Sequence, residues 1–204
     1  MSIVKLSNNG VKNATALGSI SSLGSMTFIK KLTASSSSTL SFVDGASSVV
    51  LDDTYKEYLF TFNNIHGSAS ASLNFKASTD TGSSYGVATT TTAFMAEQGE
   101  SSDPSLGYRT SEDHAQDTGA IKLSESFGVD NDQSASGYLQ LFAPSSTTFV
   151  KHFIGRFHSC HAADYADDAF KAGYVNSTSA VDAIQFSMSS GNIDAGDICL
   201  YGIA

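Results

Sequence analysis

Apolar and polar positions alternate along most of this chain with a period of two, the pattern of strands with one buried face. The clearest run is Tyr55 to Ile65, where Tyr58, Phe60 and Phe62 alternate with Leu59, Thr61 and Asn63. His66-Gly67 turns it, and Ser70 to Thr79 alternates again through Leu73, Phe75 and Ala77. Further strands are expected at 26–32, 39–43, 120–127, 137–143, 147–158, 170–176, 181–188 and 197–203, separated by Gly, Ser, Asn and Asp turns. In the 147–158 run, Phe149, Phe153 and Phe157 fall on one face and Val150 and Ile154 on the other. Two apolar faces imply a strand covered on both sides, or one face buried at a subunit contact.

Two stretches break the alternation. Residues 89–117 are polar and acidic and read as a long surface loop or an edge excursion. Residues 161–171 (HAADYADDAFK) place Ala162, Tyr165, Ala166 and Ala169 at near-helical spacing and suggest one or two helical turns. Many short strands with almost no helix predict an antiparallel two-sheet β-sandwich of jelly-roll type. Its expected core is Phe60, Phe62, Leu73, Phe75, Leu139, Leu141, Phe153, Phe186 and Leu200.

Residues 1–25 differ. Ile3, Val4, Leu6, Val11 and Leu17 are spaced singly, and neither the helical nor the strand period holds. Such a segment has no core of its own. It reads as an extended arm, distinct from the domain at 26–204, which docks on a sheet edge or in a groove of a partner. There its apolar side chains supply contacts while Lys5 and Lys12 pair with acids. The alternative is a frayed terminus.

The chain has 204 residues, enough for one sandwich with its own core. Ser and Thr occupy 35 and 17 positions, and only 15% of residues are charged, with a net charge of −9. That balance argues against a nucleic-acid partner, which calls for a surplus of Lys and Arg. No apolar run is long enough for membrane insertion. Cys160 and Cys199 are the only cysteines, which excludes a disulfide scaffold and suits assembly in a reducing cytoplasm.

None of the familiar catalytic motifs occurs, so no catalytic residue and no cofactor is expected. The acids at 52–53, 97, 100, 103, 112–113, 130 and 132 lie among turn-forming residues and read as solvated. His158, Cys160 and His161 are metal-ligand types, but they are crowded into one turn without a second pair. Asp130 and Asp132 match a calcium loop at two positions only, and Asn and Asp also simply make turns. Jelly rolls often bind glycans through exposed aromatics, and Tyr85 and Tyr108 are the loop aromatics nominated for that role.

Three strings carry a resemblance: TYKEYLFTFNNIH at 54–66, LFAPSSTTFVKHFIGRFH at 141–158, and FKAGYVNSTSAVDAIQFSMSSGNIDAGDICLYGI at 170–203. They resemble virion structural proteins of tailed phages that infect marine cyanobacteria and related bacteria. The ending, SSGNIDAG followed by a short strand closing on LYGI, is the most specific part. The resemblance implies a short variable N-terminal arm before a β-rich domain and a place in the particle, as tail fibre, tail-associated protein or capsid decoration. Its implied partners are other virion proteins and further copies, a homotrimer being favoured. A host-surface glycan is the partner under the alternative reading, that of a carbohydrate-binding module.

Overall fold

A computed structural model describes residues 26–204. The arm residues Ile3, Val4, Lys5, Leu6, Val11, Lys12 and Leu17 lie outside the described residues.

The described chain forms thirteen strands and no helix. They are β1 (Met26–Thr33), β2 (Leu40–Val43), β3 (Glu57–Gly67), β4 (Leu73–Ser78), β5 (Thr89–Gly99), β6 (Pro104–Tyr108), β7 (Ala115–Asp117), β8 (Ile121–Lys122), β9 (Ala135–Phe142), β10 (Lys151–Cys160), β11 (Tyr165–Val175), β12 (Ala183–Met188) and β13 (Ile193–Ile203). Nine make one sheet, in the order β1-β13-β3-β9-β10-β11-β5-β6 with β7 also on β5. The other four make a smaller sheet, β2-β12-β4-β8. Every pairing between named strands is antiparallel, and the two sheets enclose one core.

The nine expected core residues are all buried. Their rings interlock edge to face across the sheets: Phe75 meets Phe153 at 5.0 Å, and Phe186 meets Phe60 at 5.4 Å and Phe62 at 4.9 Å. This arrangement places the positive ring edge against the negative face. In β3 the alternation holds from Tyr58 to Phe62. A bulge at Asn63-Asn64, with Asn64 at φ 50°, then resets it so that Ile65 again points inward. Opposite this bulge, Gly196 adopts φ 111°, and a Cβ there would come 2.6 Å from the Asn64 carbonyl.

The two irregular stretches are strands. Thr89–Gly99 is an eleven-residue strand, and the expected helical turns at 161–171 give way to a tight turn followed by β11, which pairs along its whole length with β10 and β5. Their inner faces mix polar and apolar residues (Asp167, Lys171 and Val175 on β11; Thr89, Thr91, Met95 and Glu97 on β5). Phe94, Phe170 and Tyr174 point outward, so apolar residues lie on both faces and the usual amphipathic signal is lost. The edge-excursion part of the reading holds: β6 is exposed along its whole length at the sheet edge. The expected strand at 120–127 contracts to Ile121–Lys122, with a single bridge from Phe127 to Ala71 and another to His161. Phe149 precedes β10 and is 71% exposed, in a turn where the Ser146 hydroxyl accepts from the amides of Thr148 and Phe149. It therefore does not share the buried face of Phe153 and Phe157. Among the described residues no helix is long and apolar enough to cross a membrane.

Candidate functional site

Antiparallel register brings residues far apart in sequence into rows across the large sheet. On its outer face one row runs Tyr138, Arg156, Phe170, Phe94, Tyr108 over β9, β10, β11, β5 and β6. The next row toward one end is Gln140, Ile154, Ala172 and Thr92; toward the other it is Ser136, His158, Asp168, Ala96 and Leu106. Tyr138, Ile154, Phe94, Tyr108 and Leu106 are all exposed. A shallow groove of about 470 Å³ lies beside the row, walled by Ile154, Tyr174 and His152. A second of about 540 Å³ continues past the sheet end under Phe149.

Two rings of this row lie face to face. Phe94 and Phe170 stack at 4.6 Å with only 5° between their planes. The Arg156 guanidinium lies 4.7 Å from the Phe170 centroid, on the side of β10. Both faces of Phe170 are thus covered, by a cation–π contact on one side and a ring on the other. Arg156 is held there by a two-point bond to Asp168, Nε to Oδ1 at 2.9 Å and a second nitrogen to Oδ2 at 2.5 Å. Phe170 thus presents its edge to solvent. Tyr108 ends the row, with its hydroxyl donating to Asp113 Oδ2 at 2.7 Å.

The inner face of β9 and β10 is apolar core, whereas that of β5 and β11 carries buried polar groups. Glu112 is buried and bonded to the buried Lys171, and its other oxygen lies 3.0 Å from Lys122 Nζ, which also meets Glu125 at 2.6 Å. Glu97 pairs with Arg109 at 2.5 Å and accepts from Ser105. Burial pushes the Glu97 carboxyl up, but the Ser105 and Arg109 bonds outweigh it and hold the group below the ordinary value. Burial also lowers the Lys171 ammonium, with Glu112 opposing. Between these pairs sits Asp167, with 0% exposure and no hydrogen-bond partner for either carboxylate oxygen. Its pKa is pushed up to about 7, first by burial and then by the charges of Glu97 and Glu125, with Arg109 opposing.

Glu97 and Glu112 are therefore not the solvated turn acids that their sequence context suggested. Glu97 lies within β5, and Glu112 is driven inside by its bond to Lys171, which no local pattern encodes. Of the metal-ligand types at 158–161, His158 and Cys160 line one recess and His161 lines another. His158 points outward beside Asp168, Cys160 is half-buried, and His161 lies in the turn, its Nδ1 accepting from the Ala163 amide at 3.1 Å. Asp130 and Asp132 are exposed, and their turn is closed by a 2.9 Å bond from the amide of the buried Gln133 to the Asp130 carbonyl. No group of three or more His, Cys, Asp or Glu side chains able to hold a metal ion occurs among the described residues. Tyr85 packs by Gly82 and Val43 on the side of the smaller sheet, so it does not join Tyr108 in one surface. Sequence reading missed Phe94, Tyr138, Arg156 and Phe170; only the period-two placement of Phe94 against Ala93 and Met95 hinted at an outward ring. No family model, curated protein or solved structure matches the chain.

Proposed function

We propose that this protein is a non-enzymatic structural component of a tailed-phage virion. Residues 1–25 anchor it, and the sandwich is displayed with the outer face of its large sheet packed against further copies, in a trimer. The row Tyr138-Arg156-Phe170-Phe94-Tyr108 carries this reading. A stacked Phe94–Phe170 pair closed by Arg156 and flanked by the exposed Ile154 and Leu106 suits a protein surface, whereas a sugar ring packs its C–H groups on an open π-face. The fourteen positions of the three rows, at ~4.8 Å between strands and ~6.8 Å between rows, make a face of roughly 460 Å². That is a little over half of the ~800 Å² per partner of a stable interface. The sequence resemblance supplies the setting.

Labelling of particles at this protein, read by electron microscopy, tests the role: label on the shell or the tail supports it, and particles without label remove it. Light scattering tests the contact, since a stable monomer at micromolar concentration would remove the trimer. Deleting residues 1–25 should leave a folded, soluble sandwich that no longer enters particles; full incorporation of the truncated protein means that the arm is not the anchor.

A carbohydrate-binding role is the second reading, favoured by one observation. Ser136, Tyr138, Arg156, His158 and Asp168 line a polar recess of about 260 Å³ on the outer face, which places hydrogen-bonding groups beside an exposed ring. Glycan-array binding that is lost on Tyr138→Ala would support it. Binding indifferent to Tyr138→Ala, Tyr108→Ala and Tyr85→Ala would not.

A further inference from the structure

At one end of the large sheet, the turn after β10 and the turn after β5 lie side by side, joined by a 3.2 Å bond from the Glu100 amide to the Asp164 carbonyl. Between them opens a cavity of about 250 Å³ lined by Glu97, Asp103, Ser105, His161, Tyr165 and Asp167. Three carboxylates and no Lys or Arg line it. Asp103 accepts from the Tyr165 hydroxyl at 3.3 Å, and Glu97 is engaged by Arg109 and Ser105. His161 Nδ1 is an acceptor, so the neutral ring carries its proton on Nε2.

Asp167 is the independent observation. It is fully buried at the base of this cavity, opposite Glu97 across the β5–β11 pair, and both its oxygens are unpartnered. Arg109, whose buried Nε also lacks a partner, partly offsets its charge but makes no bond to either Asp167 oxygen. Arg109, Lys122 and Lys171 are already matched by Glu97, Glu112 and Glu125. An ionised Asp167 is one negative charge too many for this interior, so the isolated cluster balances only with Asp167 protonated.

We propose that this cavity binds a primary ammonium group and that Asp167 releases its proton on binding. An ammonium brings three donors and one positive charge, which suit the Asp167 oxygens and the remaining lone pairs of Asp103 and Glu97. A divalent metal is the poorer fit, since no metal-binding set of side chains forms among the described residues. The ammonium has two sources, a free amine or a lysine side chain. Residues 1–25 contain Lys5 and Lys12 and no acid, whereas residues 26–204 hold nine basic and twenty acidic side chains. The arm thus carries the complementary charge.

The test follows the Asp167 carboxyl carbon and the His161 ring by NMR through a pH titration of the full-length chain. In the Lys5→Gln/Lys12→Gln variant, butane-1,4-diamine should lower the Asp167 midpoint. Its affinity should rise about tenfold for each pH unit while Asp167 remains protonated. Asp103→Asn, an exposed change, should weaken the response, and Arg156→Gln on the outer sheet face should not. If the lysine substitutions alone raise the Asp167 midpoint, the arm is the source; if only added diamine moves it, a free amine is. Signals indifferent to tens of millimolar diamine and to both lysine substitutions overturn the site. So does a response to calcium without one to the diamine.

Discussion

Phe153 and Asp167 both point into the interior and respond to opposite physics. Phe153 is 1% exposed and packs edge to face on Phe75. Phe153→Ala should cost roughly 3–5 kcal/mol of stability, because the close-packed rings around it cannot collapse into the space. Urea denaturation at constant pH reads this as a lowered midpoint with an unchanged slope. Asp167 ties stability to pH. Its folded pKa is raised from 3.8 to about 7, so the folded state holds the proton more tightly than the unfolded state. The contribution is complete below about pH 4 and is lost as pH rises toward about 7, amounting to a few kcal/mol. Asp167→Asn keeps the shape and removes the titration. Its stability should therefore fall less between pH 4 and 7 than that of the parent, as measured by denaturation at both ends of the window. A parallel pH profile in the variant would mean that Asp167 is already ionised in the fold.

At the scale of elements, Glu112 fastens the chain between β6 and β8 onto the large sheet through the buried Lys171 and ties it to β8 of the smaller sheet through Lys122. Glu112→Gln leaves a buried ammonium without its carboxylate, a loss of about 3–5 kcal/mol. Hydrogen exchange should then speed up in 104–122 before it does so in β3 or β13. Lys171→Met in the same chain should recover much of the loss, since an apolar side chain of similar length needs no counter-charge. The same buried pairs explain why β5 and β11 were hard to read. Periodicity identifies a strand when its inward residues are apolar. Asp167 and Lys171 are inward on either side of Ala169, so no inward apolar alternation shows there, and Ala162, Tyr165, Ala166 and Ala169 fit a helical spacing as well. Strand β3, with Tyr58, Phe60 and Phe62 inward, had no such conflict.

For the whole molecule, the proposed trimer places the outer sheet face at the contact between copies. Phe94→Asp places a charge where both that ring and its stack with Phe170 lie, at a position 43% exposed in the single chain. The fold should tolerate it with a stability change of about 1 kcal/mol or less, as for surface substitutions generally. Light scattering should show the oligomer reduced to monomer at micromolar concentration. An unchanged oligomer with Phe94→Asp would place the contact elsewhere. Ile154→Asp, one row away on β10, should act in the same direction.

The amino-acid sequence by itself determined the all-β class, most strand positions and the nine core residues, because alternation over five or more residues is a local property and these strands face an apolar interior. It also marked residues 1–25 as distinct in character. Only the tertiary structure decided which side of β5 and β11 is inside, that Glu112 is buried, and that Tyr138, Arg156, Phe170, Phe94 and Tyr108 form one row. Those outcomes depend on register between strands as many as 76 residues apart, as with Phe94 and Phe170. Strand register is fixed by the summed fit of the sheets, so no local stretch of sequence carries it.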